Sequence, residues 1–177
     1  MPYAIRLMKE KDIGSIMKIE SVSFGSHHWT KESFRSEIRN STGNYYVLID
    51  QEETKLLGYA GFWLIMDESH ITTIAVHPDY RRKYLGEVLL QHLIEKSVSR
   101  KAKWLTLEVR ASNIGAQNLY YKYGFSSLGL RRKYYQDNNE DALIMWTDDI
   151  YSKAFKDTYN RLKDELKSKL DKEVICI

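Results

Sequence analysis

The sequence predicts one domain of mixed α/β order, and three observations support that prediction. β-Rich runs alternate along the chain with segments whose apolar residues recur at steps of three and four. The 177 residues are 43% hydrophobic and 29% charged, which is the balance of a single globular domain with a core. The composition changes only after Ile150, where a charged stretch begins. We therefore expect a domain over residues 1–149, followed by an amphipathic helical tail over residues 150–177.

The first half of the chain predicts four strands and two helices. Thr30 stands at the position of a helix N-cap, and Phe34 and Ile38 then form one apolar stripe. Gly58 and Gly61 interrupt a long β-rich run and predict a bend or a bulge there. The predicted strands are 3–7, 44–49, 55–66 and 70–76, and the predicted helices are 12–24 and the segment that follows Thr30.

The second half alternates between helix and strand. Leu85, Leu89 and Leu93 lie four residues apart and predict a helix after a basic turn. The remaining predicted elements are a strand at 103–109, a short helix at 113–125 and a last strand at 142–147. The tail carries an apolar stripe at helical spacing, formed by Tyr151, Phe155, Tyr159, Leu162, Leu166 and Leu170. We expect this helix to pack on the domain itself, and the alternative is a docking or dimer helix, so the protein is expected as a monomer or weak homodimer.

The turn before the third helix is strongly basic. Arg81, Arg82 and Lys83 precede a helix start, whose backbone N–H groups have no partners within the helix. Such a site attracts a phosphate or pyrophosphate, because the helix end also carries a partial positive charge. From these residues alone, a solvated basic turn is an equally good explanation. A Walker-type phosphate loop is excluded, because the chain has no G-x-x-x-x-G-K-S/T pattern.

Four segments, taken in order, carry a resemblance to a known family. They are ITTIAVHPDYRRKYLG (71–86), LEVRASN (107–113), NLYYKYGF (118–125) and RRKYYQDNNEDALIM (131–145). With them the chain resembles the GNAT superfamily of N-acetyltransferases over roughly residues 3–148. Within that superfamily it resembles the RimI-like group, which acetylates the N-terminal alanine of a small-subunit ribosomal protein.

The resemblance implies a fold and a cofactor. The fold is a central, mostly antiparallel sheet that splays open, with helices on both faces and here a C-terminal helical extension. The cofactor is acetyl-CoA, whose pantetheine arm would pair with the backbone of the fourth strand and whose pyrophosphate would lie on the basic loop. The residues implied in cofactor binding are Ile74, Ala75, Val76, Arg81, Arg82, Lys83, Tyr84, Leu85, Gly86, Glu87 and Asn113.

Tyr84 departs from the family's loop pattern. That pattern is R/Q-x-x-G-x-G/A, and this chain matches it at Arg81 and Gly86 but has Tyr84 at the first glycine. Glycine there would permit a positive φ, which a bulky residue adopts only with strain. We therefore expect Tyr84 to have an ordinary helical φ, with its ring pointing outward.

Glu108 is an acid at the end of an apolar strand. Alternation places it on one face with Trp104 and Thr106, and a solvent-exposed strand residue is the ordinary explanation. Its place at the carboxyl end of the strand, where open α/β sheets bind ligands, favours a functional role. The resemblance implies that Glu108 is the general base and Tyr120 the general acid. At pH 7 about a tenth of an α-amine is neutral, against about 0.04% of a lysine, so one carboxylate suits an N-terminus better.

The substrate side rests on fewer residues. The resemblance implies peptide contacts from Trp29, which follows the first helix, and from Tyr134 or Tyr135 in the hairpin that closes over the peptide. His27 and His28 form no metal site by spacing, because no third ligand accompanies them. We therefore expect no metal.

Charge and composition limit the partners and the compartment. A net charge of +3 is too weak to indicate nucleic-acid binding, but it suits an anionic ligand. The single Cys176 and the lack of a long apolar run favour a cytoplasmic protein that binds neither nucleic acid nor membrane. Three classes remain: an Nα-acetyltransferase for ribosomal or other protein N-termini, a GNAT enzyme for lysine, polyamine or another small amine, and a non-catalytic acyl-CoA-binding module. Glu108 and Tyr120 together argue against the third.

Overall fold

The computed structural model describes residues 3–25, 28–52 and 54–170, and within them one sheet lies between two layers of helices. The strands are β1 Tyr3–Leu7, β2 Gly43–Asp50, β3 Leu56–Ile65, β4 Glu68–Val76, β5 Trp104–Arg110, β6 Phe125–Tyr135 and β7 Glu140–Thr147. The α-helices are α1 Ile13–Phe24, α2 Lys31–Arg39, α3 Leu85–Ser99, α4 Ile114–Lys122 and α5 Lys153–Leu170. Short 3-10 helices cover Glu10–Asp12 and Pro78–Tyr80.

The strand order across the sheet is β1-β2-β3-β4-β5-β7-β6, and β4 with β5 is its parallel pair. All the other neighbours in this order are antiparallel. The register of β4 with β5 runs from Glu68 opposite Trp104 to Ile71 opposite Leu107 and ends there. The rest of β4 pairs only with β3, and Glu108 onward pairs only with β7. The predicted mostly antiparallel, splayed sheet is therefore confirmed.

A β-bulge lies at the point where the two parallel strands part. Opposite β3, Ile71 pairs with Phe62 and Thr73 pairs with Gly61, so Thr72 is an extra residue in the ladder. A bulge bends its strand and increases the local twist, which turns the end of β4 away from β5. A second register shift lies beside Gly58. The bend or bulge predicted at the two glycines is confirmed.

The two faces of the sheet are covered by different helices. On one face α1 and α2 contribute Ile16, Ile19 and Phe34, which are buried with Tyr45 and Tyr59 of the sheet. On the other face α3, α4 and α5 enclose a larger cluster. Its fully buried members include Leu57, Phe62, Leu89, Leu90, Leu93 and Leu105. Thr30 caps α2, as predicted, by accepting the Ser33 N–H at 3.1 Å.

The C-terminal helix α5 packs on the protein itself. Phe155, Leu162, Leu166 and Leu170 are buried in the same cluster as α3. This agrees with the preferred interpretation of the apolar stripe, whereas the domain boundary at residue 149 stays a prediction. No helix within the described ranges is long and apolar enough to cross a membrane.

Gly61 fits against the ring of Tyr45, and a methyl group there would overlap that ring. Tyr45 has no room to yield, because it is 4% exposed and its hydroxyl is hydrogen bonded to Thr72 Oγ1 at 3.0 Å. Gly61→Ala is therefore expected to lower the free energy of unfolding by about 2–3 kcal/mol, the usual cost of overpacking. Denaturation in urea measures this change.

Gly14→Ala is the matched control for that substitution. Gly14 lies in α1 with nothing within 4 Å of an added Cβ. Alanine there should leave stability unchanged or raise it by up to about 1 kcal/mol, because glycine is the poorer helix former. Equal effects of the two substitutions would contradict the packing of Gly61 against Tyr45.

Candidate active site

The parting of β4 from β5 leaves one edge of β4 without a neighbouring strand in the described residues. Ile74, Ala75 and Val76 pair on one side with β3, opposite Ala60, Tyr59 and Gly58 respectively. On the side toward β5 their ladder has already ended at Ile71. An extended molecule with amide groups can add to such an edge as a further strand. The three residues predicted to bind pantetheine therefore lie on a suitable edge.

The basic loop leads from this edge to the start of α3. Arg81 anchors the loop, because its Nε donates to the Val76 carbonyl at 3.2 Å and its guanidinium donates to Ser23 Oγ at 3.0 Å. Arg82 and Lys83 are exposed. The first hydrogen bond into α3 runs from the Val88 N–H to the Tyr84 carbonyl, and no side chain caps the helix start. The preceding N–H groups are consequently available to an anion.

The prediction of an ordinary helical φ at Tyr84 is wrong. Tyr84 has φ 60° and ψ 5°, in the left-handed region, and Arg82 in the same loop also has φ 60°. Both residues lie in the loop that leads from β4 into α3, and Tyr84 is the residue just before α3 begins. The ring does point outward, with the side chain 47% exposed, and the ammonium of Lys169 lies 5.3 Å from its centroid.

Glu108 is a buried, ion-paired carboxylate. It projects from β5 one residue after the pairing with β4 ends, and its side chain is 9% exposed. His70 Nε2 donates to Oε2 at 2.7 Å, and the Arg131 guanidinium lies 3.3 Å from Oε1. Burial raises the pKa of Glu108, but the hydrogen bond from His70 and the charges of His70 and Arg131 outweigh it and lower the pKa. Glu108 is thus a carboxylate at neutral pH and accepts protons.

The β6–β7 hairpin brings two tyrosines toward Glu108. Burial raises the pKa of Tyr134, and the Glu108 charge raises it further. Burial also raises the pKa of Tyr135, to about 12, with a smaller contribution from Glu108. The two rings meet edge to face with centroids 5.1 Å apart. Both tyrosines that were predicted to contact the peptide therefore lie close enough to Glu108 for its charge to raise their pKa.

Arg110 of β5 fixes this hairpin to the sheet. Its guanidinium lies 3.9 Å from the centroid of the Tyr135 ring. The same group donates to Asp137 at 2.8 Å and to Glu140 at 3.1 Å. Glu140 also accepts the Ser112 N–H at 2.7 Å, and these hydrogen bonds lower the pKa of Glu140 to about 2. Glu140 therefore stays ionised at physiological pH, and its contacts with Arg110 and Ser112 are kept over that range.

Tyr120 of α4 is buried near Phe125 and Tyr135 of β6. It is 9% exposed and packs on Phe125, with ring centroids 5.7 Å apart. Burial, and then the proximity of Tyr135, raise its pKa above the ordinary value. Among the described residues its hydroxyl has no hydrogen-bond partner. Tyr120 is therefore a protonated phenol with a free donor, close to Tyr135 and through it to Glu108.

Two other predicted site residues have structural contacts of their own. Asn113 Oδ1 accepts the Ala116 N–H at 3.1 Å and so caps α4. Trp29 packs on Phe34 and Tyr45, with ring centroids 5.3 and 6.0 Å apart. The backbone N–H of Trp29 donates to Oε1 of the buried Glu20 at 2.8 Å. Their predicted contacts with cofactor and peptide stay predictions.

The sequence predicts no metal site at His27 and His28. His27 and Cys176 lie outside the described residues, and the described ranges contain no group of three potential metal ligands.

The sequence analysis misses His70 and Arg131, the residues that contact Glu108. His70 occurs in the predicted fourth strand, but only the parallel register, with His70 opposite Thr106, brings it beside Glu108. A titratable residue on the strand next to a buried acid is the signal that could have revealed it.

An opened parallel pair beside an uncapped basic helix start, with a buried carboxylate at the opening, is the architecture of acetyltransferases that use a coenzyme A thioester. A sequence model of the Acetyltransferase (GNAT) family matches residues 13–125. The chain belongs to this family and is an N-acetyltransferase. Members of the family take the acetyl group from acetyl-CoA.

Relatives of the chain include proteins named as ribosomal protein alanine N-acetyltransferases. A putative ribosomal protein bS18-alanine N-acetyltransferase from Bacillus subtilis is 45% identical over 143 residues, which cover 81% of this chain and 93% of the relative. The crystal structure of the ribosomal-protein-S18-alanine N-acetyltransferase from Escherichia coli is similar, with a TM-score of 0.73 and 34% identity over 82% of this chain and 92% of the other. A structure of the NatC complex bound to Gag peptide and CoA has a TM-score of 0.73 at 19% identity, covering 84% of this chain and 99% of that chain, and shows likeness of fold alone.

The backbone at Tyr84 can be tested with two substitutions that both remove the ring. Tyr84→Gly is expected to be more stable than Tyr84→Ala by about 1 kcal/mol, because only alanine keeps the Cβ that disfavours a positive φ. Losses of ring contacts are common to both variants and cancel in the comparison. Unfolding in urea gives the difference, and equal stabilities would contradict the left-handed conformation.

Proposed function

We propose that the protein is an acetyl-CoA-dependent Nα-acetyltransferase whose substrate is a protein N-terminus, namely the N-terminal alanine of ribosomal protein bS18. The observation that carries the proposal is the buried carboxylate Glu108, ionised by its partners and placed where the sheet opens. The sequence identity of 45% and 40% with two proteins that are named for this activity supports the choice of substrate. Such a substrate is made in the cytoplasm, where we place the enzyme.

The residues on the loop side fit acetyl-CoA. The amides of the pantetheine arm would pair with the free edge of β4 at Ile74–Val76. The pyrophosphate would accept hydrogen bonds from the N–H groups at the uncapped start of α3, with Arg82 and Lys83 adding positive charge. Asn113 would reach the cofactor through its amide nitrogen, because its oxygen is occupied by the cap of α4. When bound, acetyl-CoA supplies the acetyl group as a thioester.

Glu108 and Tyr120 divide the proton transfers between them. Glu108 accepts a proton from the substrate ammonium, directly or through water, and so leaves a neutral amine to attack the acetyl carbon. The carbon–nitrogen bond forms and the carbon–sulfur bond breaks, and the second proton lost by the nitrogen as the amide forms replaces the one that Tyr120 gives to the sulfur. Tyr120 donates to the departing sulfur, and its raised pKa ensures that it still holds its proton at that moment. Tyr134, Tyr135 and Trp29 would hold the peptide near Glu108, so that the amine reaches both groups.

Acetylation of lysine or a polyamine is the alternative, and the acidity of the amine decides between the two. About a tenth of an α-amine with pKa near 7.8 is neutral at pH 7. The corresponding fraction of a lysine is smaller by a factor of a few hundred, equivalent to about 3.5 kcal/mol. Because the pKa of Glu108 is lowered, this carboxylate is a weak base and is better matched to the more acidic amine.

Glu108→Gln should lower kcat/KM at pH 7 by about 10²–10⁴, because the amide accepts no proton. Part of the loss should return near pH 9, where the α-amine is neutral without assistance. In the wild type, Glu108 stays ionised down to its lowered pKa and can take the proton of the ammonium form, so kcat/KM should rise less steeply from pH 6 to 8 than it does in Glu108→Gln. Initial rates over this pH range measure the effect.

Tyr120→Phe is the matched variant, since it removes one buried hydroxyl without changing the charge. It should lower kcat, and the loss should be the same at pH 7 and pH 9. If Glu108→Gln stays within a few-fold of the wild type at pH 7, while folded and still binding acetyl-CoA, another group is the base.

The substrate can be tested with peptides that differ only in their first residue, each with its lysines blocked. The bS18 N-terminal sequence beginning with alanine is expected to be acetylated fastest, with the acetyl group on the α-nitrogen by mass spectrometry. A peptide with a blocked N-terminus and a free lysine, and spermidine, serve as controls. Acetylation of these controls alone would replace the proposed substrate by a lysine or polyamine.

A further inference from the structure

The C-terminal helix α5 ends beside the basic loop. It runs antiparallel to α3, and three contacts mark its course. Near its start, the Tyr151 hydroxyl donates to the Val98 carbonyl at 3.2 Å. In the middle, the Tyr159 hydroxyl donates to Glu95 at 3.0 Å. In the last turn, the ammonium of Lys169 lies 5.3 Å from the Tyr84 ring centroid, so α5 reaches the residue at which α3 begins.

The last turn of α5 is held firmly, which gives Lys169 a defined place. Leu166 and Leu170 flank it and are 2% and 8% exposed. They belong to the cluster that also contains Leu85 and Val88 of α3. Lys169 itself is exposed, on the outer side of this contact. The packing of Leu166 and Leu170 therefore fixes the backbone of Lys169, and with it the position from which the ammonium reaches the loop.

Lys169 has no carboxylate partner within the described ranges, unlike Lys163 of the same helix and Lys122 at the end of α4. Lys163 pairs with Glu95 at 2.6 Å, and Lys122 pairs with Glu87 at 2.5 Å. The second pair also neutralises Glu87, the acid in the first turn of α3. The helix start is thus left with uncompensated positive charge, to which Lys169 adds.

A lysine ammonium group lies over each of two tyrosine rings at the loop. The Lys83 ammonium lies 5.4 Å from the centroid of the Tyr80 ring. The Lys169 ammonium lies at nearly the same distance, 5.3 Å, from the ring of Tyr84. Contact with a ring restrains an ammonium group while leaving its N–H donors free for an acceptor. Together with Arg82, these cations bring positive charge to the loop that leads into the uncapped start of α3.

We propose that Lys169 is a phosphate-binding residue of the acetyl-CoA site, contributed by α5. The inference rests on the proposed cofactor site and extends it beyond the family match, which ends at residue 125. Acetyl-CoA carries a pyrophosphate and a 3′-phosphate, and both have the chemistry that an ammonium recognises. The C-terminal helix thereby has a function in cofactor binding besides covering α3.

Lys169→Gln keeps the length of the side chain but removes its charge. Its dissociation constant for acetyl-CoA, measured by calorimetry at about 20 mM ionic strength, is expected to rise about three- to tenfold. The difference should shrink in 0.5 M salt, where charges are screened beyond about 3–4 Å. At saturating acetyl-CoA, kcat should be unchanged, because Lys169 lies away from the reacting atoms. Lys169→Arg should bind like the wild type.

Lys167→Gln is the matched control. It removes the same charge from the same turn, but two residues in a helix are about 200° apart, so Lys167 faces away from Tyr84. Acetyl-3′-dephospho-CoA separates the two phosphate sources. If the effect of Lys169→Gln vanishes with this analogue, the 3′-phosphate is the group bound; if it persists, the pyrophosphate is.

Equal affinities of Lys169→Gln and the wild type at low ionic strength would overturn the inference, and so would an equal loss in Lys167→Gln. Circular dichroism serves to check that both variants keep the helical content of the wild type. The wild type provides the check on the proposed function, because failure of the wild type to bind acetyl-CoA would refute the cofactor site itself. Binding by the wild type with no effect at Lys169 would refute only the role of α5.

Discussion

Thr72, the extra residue in the β3–β4 ladder, sits where the sheet changes from a continuous surface to an open one. The parallel pairing of β4 with β5 ends one residue before it, at Ile71. A bulge is stable only if something holds the displaced residue, and here the Tyr45 hydroxyl and the Gly61 carbonyl both contact Thr72 Oγ1, at 3.0 and 3.3 Å. Tyr45 in turn occupies the space left by the missing side chain of Gly61. The free edge of β4 and the position of Glu108 both follow from this local arrangement.

Charge is handled differently on the two sides of the opening. On the β5 side, the carboxylate of Glu108 is compensated by His70 and Arg131, and Arg110 compensates the acids of the β6–β7 hairpin. On the α3 side, positive charge is left uncompensated at the end of a helix whose dipole has the same sign. Burial of Glu108 makes the first arrangement stronger than it would be in water. The first suits proton transfer from an amine and the second suits an anion, as the two substrates of opposite charge in the proposed reaction require.

The sequence predicts the elements that bury a face and misses those that do not. Apolar periodicity locates α3, α5 and the inner strands, because each of them packs against the core. Strand β6 escapes this reasoning, since most of its side chains are exposed at the sheet edge and no alternation is required. The partners of Glu108 come from strands whose register only the assembled sheet defines. At Tyr84 the pattern correctly indicates an unusual position, but a side chain reports poorly on a backbone conformation that the surrounding chain imposes.

The bulge at Thr72 also governs how the protein tolerates changes in chain length. Side chains of a strand alternate with a period of two, so one residue more or less exchanges the faces of everything beyond it. At Thr72 the extra residue has already made this exchange, since Ile71 lies in the cluster beneath α3 and Ala75, four residues later, lies in the cluster beneath α1. Removing Thr72 would restore a regular ladder in which Ile71 and Thr73 keep their partners in β3 and their faces, so both clusters could survive while the bend that opens the sheet is lost. A deletion of one codon elsewhere in β4 would leave the bulge in place and would turn the residues on one side of it to the wrong face.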